Sequence, residues 1–349
     1  MITNHIRSLL VATQFAVLAV AGSASATTGK VYIADEGANT VSVIDAASFK
    51  QTGSIPVGLG PHNVQVSPDG KWVWVTNNGD PAKAADTMPA ESMPKAEHGA
   101  MAGAGAVWVI DASTDAVVAK VPVGKHPAHV VLTGDGRTAY ITNGGDNTVS
   151  VVDTAAQRVV GVVAVGASPH GLRISPDGKQ VWVANLKDGT VSVIDTAGQK
   201  PVAHIPAGKG PAQVGFTPDG RWGFVSLSGE NKVAMIDPVS RKVIRKIVVG
   251  PVPIQLHATP DSKLVLVANQ GTPKKPGTTV SVIDVASTKV AATITTGAGA
   301  HGVAVNRDGR HAFVTNTYAN TVSVIDIVNR KVVATVPVGR GPNGISVGP

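Results

Sequence analysis

Cysteine is absent from the 349-residue chain. That absence excludes disulfides, thiolate metal ligands, iron–sulfur clusters, covalently attached c-type haem and cysteine nucleophiles together. Aromatic residues are scarce, at 4% of the chain. Single-stranded nucleic acid needs aromatic platforms for its bases, so nucleic acid is not an expected partner. Charge is sparse too, and the formal net charge of +7 comes from Lys and Arg scattered along the chain rather than run together. Such a basic surface permits weak contact with anionic partners and specifies none. Paired carboxylates at catalytic spacing do not emerge from the sequence either.

What the chain has in quantity is glycine and proline, 39 and 23 residues. That mix suits many short strands joined by tight turns. Its one long apolar run, about Leu9 to Ala21, follows Arg7 and precedes Ala24-Ser25-Ala26. The run is short for a bilayer span, and the small-x-small triplet is a cleavage signature. Residues 1–26 therefore read as a secretory signal peptide, which implies a periplasmic or secreted protein. No later segment of the mature chain reads as transmembrane.

The rest of the sequence repeats itself. Strands ending in Ile-Asp or Val-Asp recur at Asp45, Asp111, Asp153, Asp195, Asp237, Asp284 and Asp326. Most intervals are 42 residues, and two are lengthened by insertions, to 66 and 47. One unit, residues 168–207, reads as four strands, with the turn Ser175-Pro176-Asp177-Gly178 between the first two. Proline fixes φ in that turn and glycine accepts positive φ. Four short strands per 42 residues predict a propeller blade. The first unit begins at a second strand, Lys30 to Asp35, and the chain ends on a lone first strand, Asn343 to Val347. The predicted fold is all-β: a seven-bladed β-propeller over 27–349, four antiparallel strands per blade, its two termini sharing one blade.

The second strands read Ala139-Tyr140-Ile141-Thr142-Asn143, Val73-Trp74-Val75-Thr76-Asn77 and Ala312-Phe313-Val314-Thr315-Asn316. With the Pro-Asp-Gly turn in register, this resembles the YVTN β-propeller repeat family over residues 30–349. The resemblance implies an exported propeller and leaves activity open, because fold does not fix function. Related propellers include lactonases, haem-carrying nitrite reductase domains and a copper-cluster reductase.

Chemistry gathers where fourth strands hand over to first strands. Counting four residues from the closing glycine of each blade gives His62, Ala128, His170, Ala212, Ile254, His301 and Asn343. The next positions include Asn63, His129, Gln213 and Gln255, and His257 follows two residues later. The expectation is an axial rim of imidazoles and amides, with His62, His129, His170 and His301 as candidate metal ligands. Neutral imidazole is the commonest metal ligand and also a general base. A lone histidine at a channel mouth would equally well hydrogen-bond a carbonyl or water.

An insertion at residues 78–105 overhangs the same face and carries Met88, Met93, His98 and Met101. Thioether and imidazole together suit copper, Cu(I) above all; the alternative is a plain polar loop. Asp35, Glu36, Asp146, Asp188 and Glu230 are the carboxylates expected near that face. The repeated strand-end asparagines and aspartates read as turn formers, and residues 271–279 read as a simple loop. Two functions stay open. One is a binding or scaffold propeller, handling copper through the rim and the Met/His loop, with a protein or small molecule at the axial face. The other is a metal- or haem-dependent enzyme, a lactonase or lyase or an oxidoreductase, with its site on that face.

Overall fold

Each repeat alternates Val or Ile with small polar residues, the period-2 pattern of a strand. A computed structural model of the protein describes residues 29–79 and 105–348. The segment read as a signal peptide and Met88, Met93, His98 and Met101 lie outside the described residues. The described chain forms 28 strands in seven four-stranded antiparallel sheets. In the closing sheet the last strand, β28 (Pro342–Val347), pairs with the first, β1 (Lys30–Asp35), as the repeat phase predicts. This joint blade leaves no open ring edge.

The innermost strand of each blade is its first. These are β4 (Pro61–Val66), β8 (Pro127–Leu132), β12 (Pro169–Ile174), β16 (Pro211–Phe216), β20 (Pro253–Ala258), β24 (Ala300–Val305) and β28. Each packs on the next, and β28 packs on β4, so the seven surround one axis. Apolar side chains fill the gaps between blades; one cluster joins Trp182, Ala184 and Val193 of one sheet to Val214, Val225 and Ile236 of its neighbour.

Two devices repeat. The aspartates that end third strands accept backbone N–H groups two or three residues on, as Asp45 does from Ser48 at 2.7 Å and Asp284 from Ser287 at 2.7 Å. Their role is to close turns, as expected. Each innermost strand also carries a β-bulge near its start, seen as a register shift against the second strand in every blade.

Two expectations are corrected. Residues 271–279 extend a hairpin: β21 (Leu264–Thr272) pairs with β22 (Lys275–Asp284) beyond the usual strand end. Gly271 makes the extension feasible with φ +64, and Gly277 lies so close to the Asn269 carbonyl that a Cβ would sit 2.1 Å from it. The strand-end asparagines are not turn formers. Asn143, Asn185, Asn269 and Asn316 are buried. Each donates from Nδ2 to a threonine and a serine of the third strand at 2.9–3.1 Å. A buried amide must find partners, and the adjoining strand supplies hydroxyls at that register.

Candidate metal centre

His62, His129 and His170 start three consecutive innermost strands, β4, β8 and β12. Consecutive blades converge at the axis, and the bulges swing these side chains inward. The ring centroids lie 5.7 Å apart for His62 and His129, 5.2 Å for His62 and His170, and 4.9 Å for His129 and His170. One nitrogen from each ring falls within 4.8 Å of the others. Nitrogens bound at ~2.0–2.1 Å to one tetrahedral ion stand roughly 3.4 Å apart. Modest ring rotation would bring these nitrogens to the spacing that one ion requires.

The hydrogen bonds fix the tautomers. His170 Nδ1 lies 2.9 Å from the Ala212 carbonyl oxygen, which only accepts. His170 therefore carries its proton on Nδ1 and offers the Nε2 lone pair to the cluster. His62 Nε2 sits 3.1 Å from that atom. Asn343 Nδ2 reaches both His62 Nδ1, at 3.2 Å, and Glu36 Oε2, at 2.6 Å. Without metal, a chain of donors runs from Asn343 to His62, from His62 to His170, and from His170 to the Ala212 carbonyl. To ligate through Nε2, His62 must move its proton to Nδ1. Glu36 Oε2 stands 3.6 Å from that nitrogen, placed to accept it. Carboxylates behind ligand histidines hold the tautomer and raise the ligand's basicity.

His129 is the most telling member. It is fully buried, and neither ring nitrogen has a hydrogen-bond partner among the described residues. Such a group costs about 1–3 kcal/mol relative to a satisfied one. Burial drives its pKa well below the ordinary histidine value, with His170, His62 and Arg173 adding to the effect. Burial likewise lowers His170 to about 4, helped by His62 and opposed by the Ala212 bond. Both rings are neutral at physiological pH, with lone pairs free for a Lewis acid.

The other candidates separate. His301 is buried with its ring 6.5 Å from His62, and its Nδ1 meets Gln270 Nε2 at 2.8 Å. It flanks the three-nitrogen group without belonging to it. His126 is exposed in the preceding loop. The three-histidine group forms a compact axial cluster in which His129 is buried and His62 and His170 are half-buried. His257 lies deeper, lining a second axial space with Gln65 and Arg173. Among the carboxylates, Glu36 joins the cluster. Asp35 is buried behind it, accepting from Thr40 at 3.0 Å and Ser42 at 2.6 Å. Asp146, Asp188 and Glu230 accept backbone N–H groups of Lys125, Ala167 and Lys209 in the loops between blades. Arg173 escaped the sequence reading. Counting seven rather than four residues from each closing glycine gives Gln65, Val131, Arg173, Gly215, His257, Ala304 and Ser346, an inner ring with its own chemistry.

Fold and site together define a closed seven-bladed propeller whose axis holds a compact histidine cluster. The chain belongs to the YNCE-like β-propeller family, whose profile matches residues 81–348. Among solved structures it resembles hydrazine synthase of Kuenenia stuttgartiensis, at 25% identity over 82% of this chain and 88% of that one, with a TM-score of 0.67. It also resembles a functionally unknown protein from Desulfotomaculum acetoxidans DSM 771, at 16% identity over 91% and 98% of the two chains, TM-score 0.74. A third neighbour is the dihydro-heme d1 dehydrogenase NirN in complex with DHE, at 17% identity over 91% and 75%, TM-score 0.64. The likeness to these last two shows the fold alone. No protein of curated function matches the sequence.

Proposed function

We propose that this chain is an exported metal-binding propeller that holds one copper or zinc ion on His62, His129 and His170. The observation that carries the reading is His129, a buried imidazole with two unpartnered nitrogens beside two other ring nitrogens. A bound ion would satisfy it. Imidazole donors without thiolate suit copper and zinc, and the chain has no cysteine to compete. The Met/His segment at 86–101 fits a role in delivering copper to the axial face, and Ala24-Ser25-Ala26 fits export to the periplasm or beyond.

The test is the metal content of full-length protein expressed with its leader, exposed to Cu(II), Cu(I) or Zn(II) and dialysed. One equivalent should be retained per chain. His129→Ala should lose it with an unchanged circular dichroism spectrum, whereas deletion of residues 86–101 should slow loading and leave the stoichiometry intact. A wild-type protein that keeps no metal, or a His129→Ala variant that keeps it, sinks the reading. N-terminal sequencing of the product should begin at Thr27.

A second reading is favoured by Glu36. Three histidine ligands leave an open coordination position, as catalytic zinc sites do. Glu36 Oε2 lies 3.6 Å from His62 Nδ1 and would act there through His62, holding its tautomer while the ion activates the water. Metal-dependent hydrolysis of a lactone panel, abolished in Glu36→Gln while metal stays bound, would favour the enzyme over the binding protein.

A further inference from the structure

Three residues beyond the histidine cluster, the innermost strands line a second axial space of about 280 Å³ that is partly open to solvent. Its polar wall is Gln65, Arg173, His257 and Ser346, set among aliphatic residues such as Val131 and Ile345. Arg173 is the unusual member. It lines the cavity without a hydrogen bond or ion pair to any described residue, and no carboxylate acts on it. Loss of water alone lowers its pKa, to about 10, so the guanidinium is charged at neutral pH. Arg173 is half-buried, and a charge partly withdrawn from water without a partner favours a counter-charge beside it.

His257 does not share the burden. The Val305 N–H donates to its Nδ1 at 3.1 Å, which leaves the proton on Nε2. Burial first, and then the Arg173 charge, hold its pKa down to about 4. The cavity thus presents one net positive charge, a planar five-donor fork, a neutral donor on Gln65, and an aliphatic remainder. The Gln65 amide spends one hydrogen on the Val66 carbonyl at 3.1 Å and keeps the other.

We propose that this cavity is a binding site for a small planar monoanion, a short-chain carboxylate, held bidentately by Arg173. One charge matches one charge; a dianion such as sulfate would bring an unpaired negative charge into the same space. Carboxylate geometry fits the guanidinium fork. The volume equals roughly nine water molecules in the liquid, room for an acid of a few carbons with its tail on the aliphatic wall. The site is separate from the metal cluster and stands without it.

Calorimetry decides the matter on full-length protein freed of metal by chelation, at neutral pH and matched ionic strength. The probes are acetate, propionate and butyrate, with chloride and sulfate as controls. The expected result is saturable one-to-one binding of the carboxylates and none of the controls. Arg173→Met should lose it, and Arg173→Lys, with charge but no fork, should weaken it about tenfold. Carboxylates that give no saturable heat with the wild type overturn the proposal, as does Arg173→Met binding them equally well. Sulfate binding more tightly than acetate overturns the monoanion class. Should Arg173→Met fail to fold, line broadening of ¹³C-labelled acetate by the wild type, relieved by propionate and not by chloride, gives an independent answer; its absence counts against the site.

Discussion

Asp35 occupies the strand-end position that asparagine holds in the blades of Asn143, Asn185, Asn269 and Asn316. The partners are the same, a threonine and a serine on the third strand, but a carboxylate reverses the direction of donation. Asp35 accepts from Thr40 and Ser42, and its other oxygen is buried without a partner. Burial raises its pKa to about 7, against the pull of those hydroxyl bonds. The sign follows from proton counts. Between about pH 4 and about pH 7 the folded chain holds a proton the unfolded chain has lost, so this residue costs stability as pH rises through that window. Asp35→Asn removes the titration and restores the amide pattern of the other blades. The variant should match wild type near pH 4 and exceed it by roughly 4 kcal/mol above pH 7 in urea unfolding. Equal pH dependence in the two proteins would refute the buried, raised carboxyl.

At the scale of the element, the informative position is the threonine before that asparagine. Thr142 Oγ1 accepts the His129 N–H at 2.9 Å and donates to the His170 carbonyl of the next blade at 2.7 Å. Thr76 does the same between Asn63 and Ala128, at 3.0 and 2.7 Å, and Thr315 between Gly302 and Asn343, at 2.7 and 2.8 Å. Ser226 shows that a serine hydroxyl serves as well, linking Gln213 to Ile254. This hydroxyl answers the bulge: the extra residue leaves an amide unpaired in the ladder, and the threonine takes it while clasping the neighbouring strand. Thr142→Val should cost about 1–3 kcal/mol and, on the proposed function, weaken metal retention, since it frees the strands of His129 and His170 at once. Thr142→Ser should retain both properties; a Thr142→Val variant as stable as wild type would show the clasp to be dispensable. The same detail marks where sequence reading stops. Strands, turns, blade count and closure were legible because 2-residue alternation and the Pro-Asp-Gly turn repeat in register. The histidines were legible as positions in a count. Their convergence was not, because the bulge shifts which residue faces the axis and leaves no signature in composition. Arg173 was hidden for that reason: strict alternation from His170 points position 173 away from the axis.

Across the whole molecule, closing seven blades around one axis collects groups that the sequence keeps far apart, and their titrations then act on one stability. His257 and His301 are neutral in the fold, lowered to about 4 and about 3 chiefly by burial. An unfolded histidine titrates near 6.5. Between those values the unfolded chain binds protons that the folded chain refuses, so stability is full above about pH 6.5 and falls as pH drops. Asp35 runs the opposite way over part of that range. The surface aspartates, such as Asp45 and Asp177, are held below the usual carboxylate range by serine hydroxyl bonds. Their contribution is lost only below about pH 4. Several buried histidines outweigh one aspartate, so the urea midpoint should fall between about pH 7 and about pH 5, by roughly 1–2 kcal/mol for each histidine concerned. A double variant, His257→Gln and His301→Gln, should flatten that decline without touching the three proposed ligands. Saturating Zn(II) should shift the decline to lower pH in wild type, because the ion occupies lone pairs that protons would otherwise claim. A wild-type profile already flat across that window would mean that water reaches these rings and that the fold does not hold them neutral.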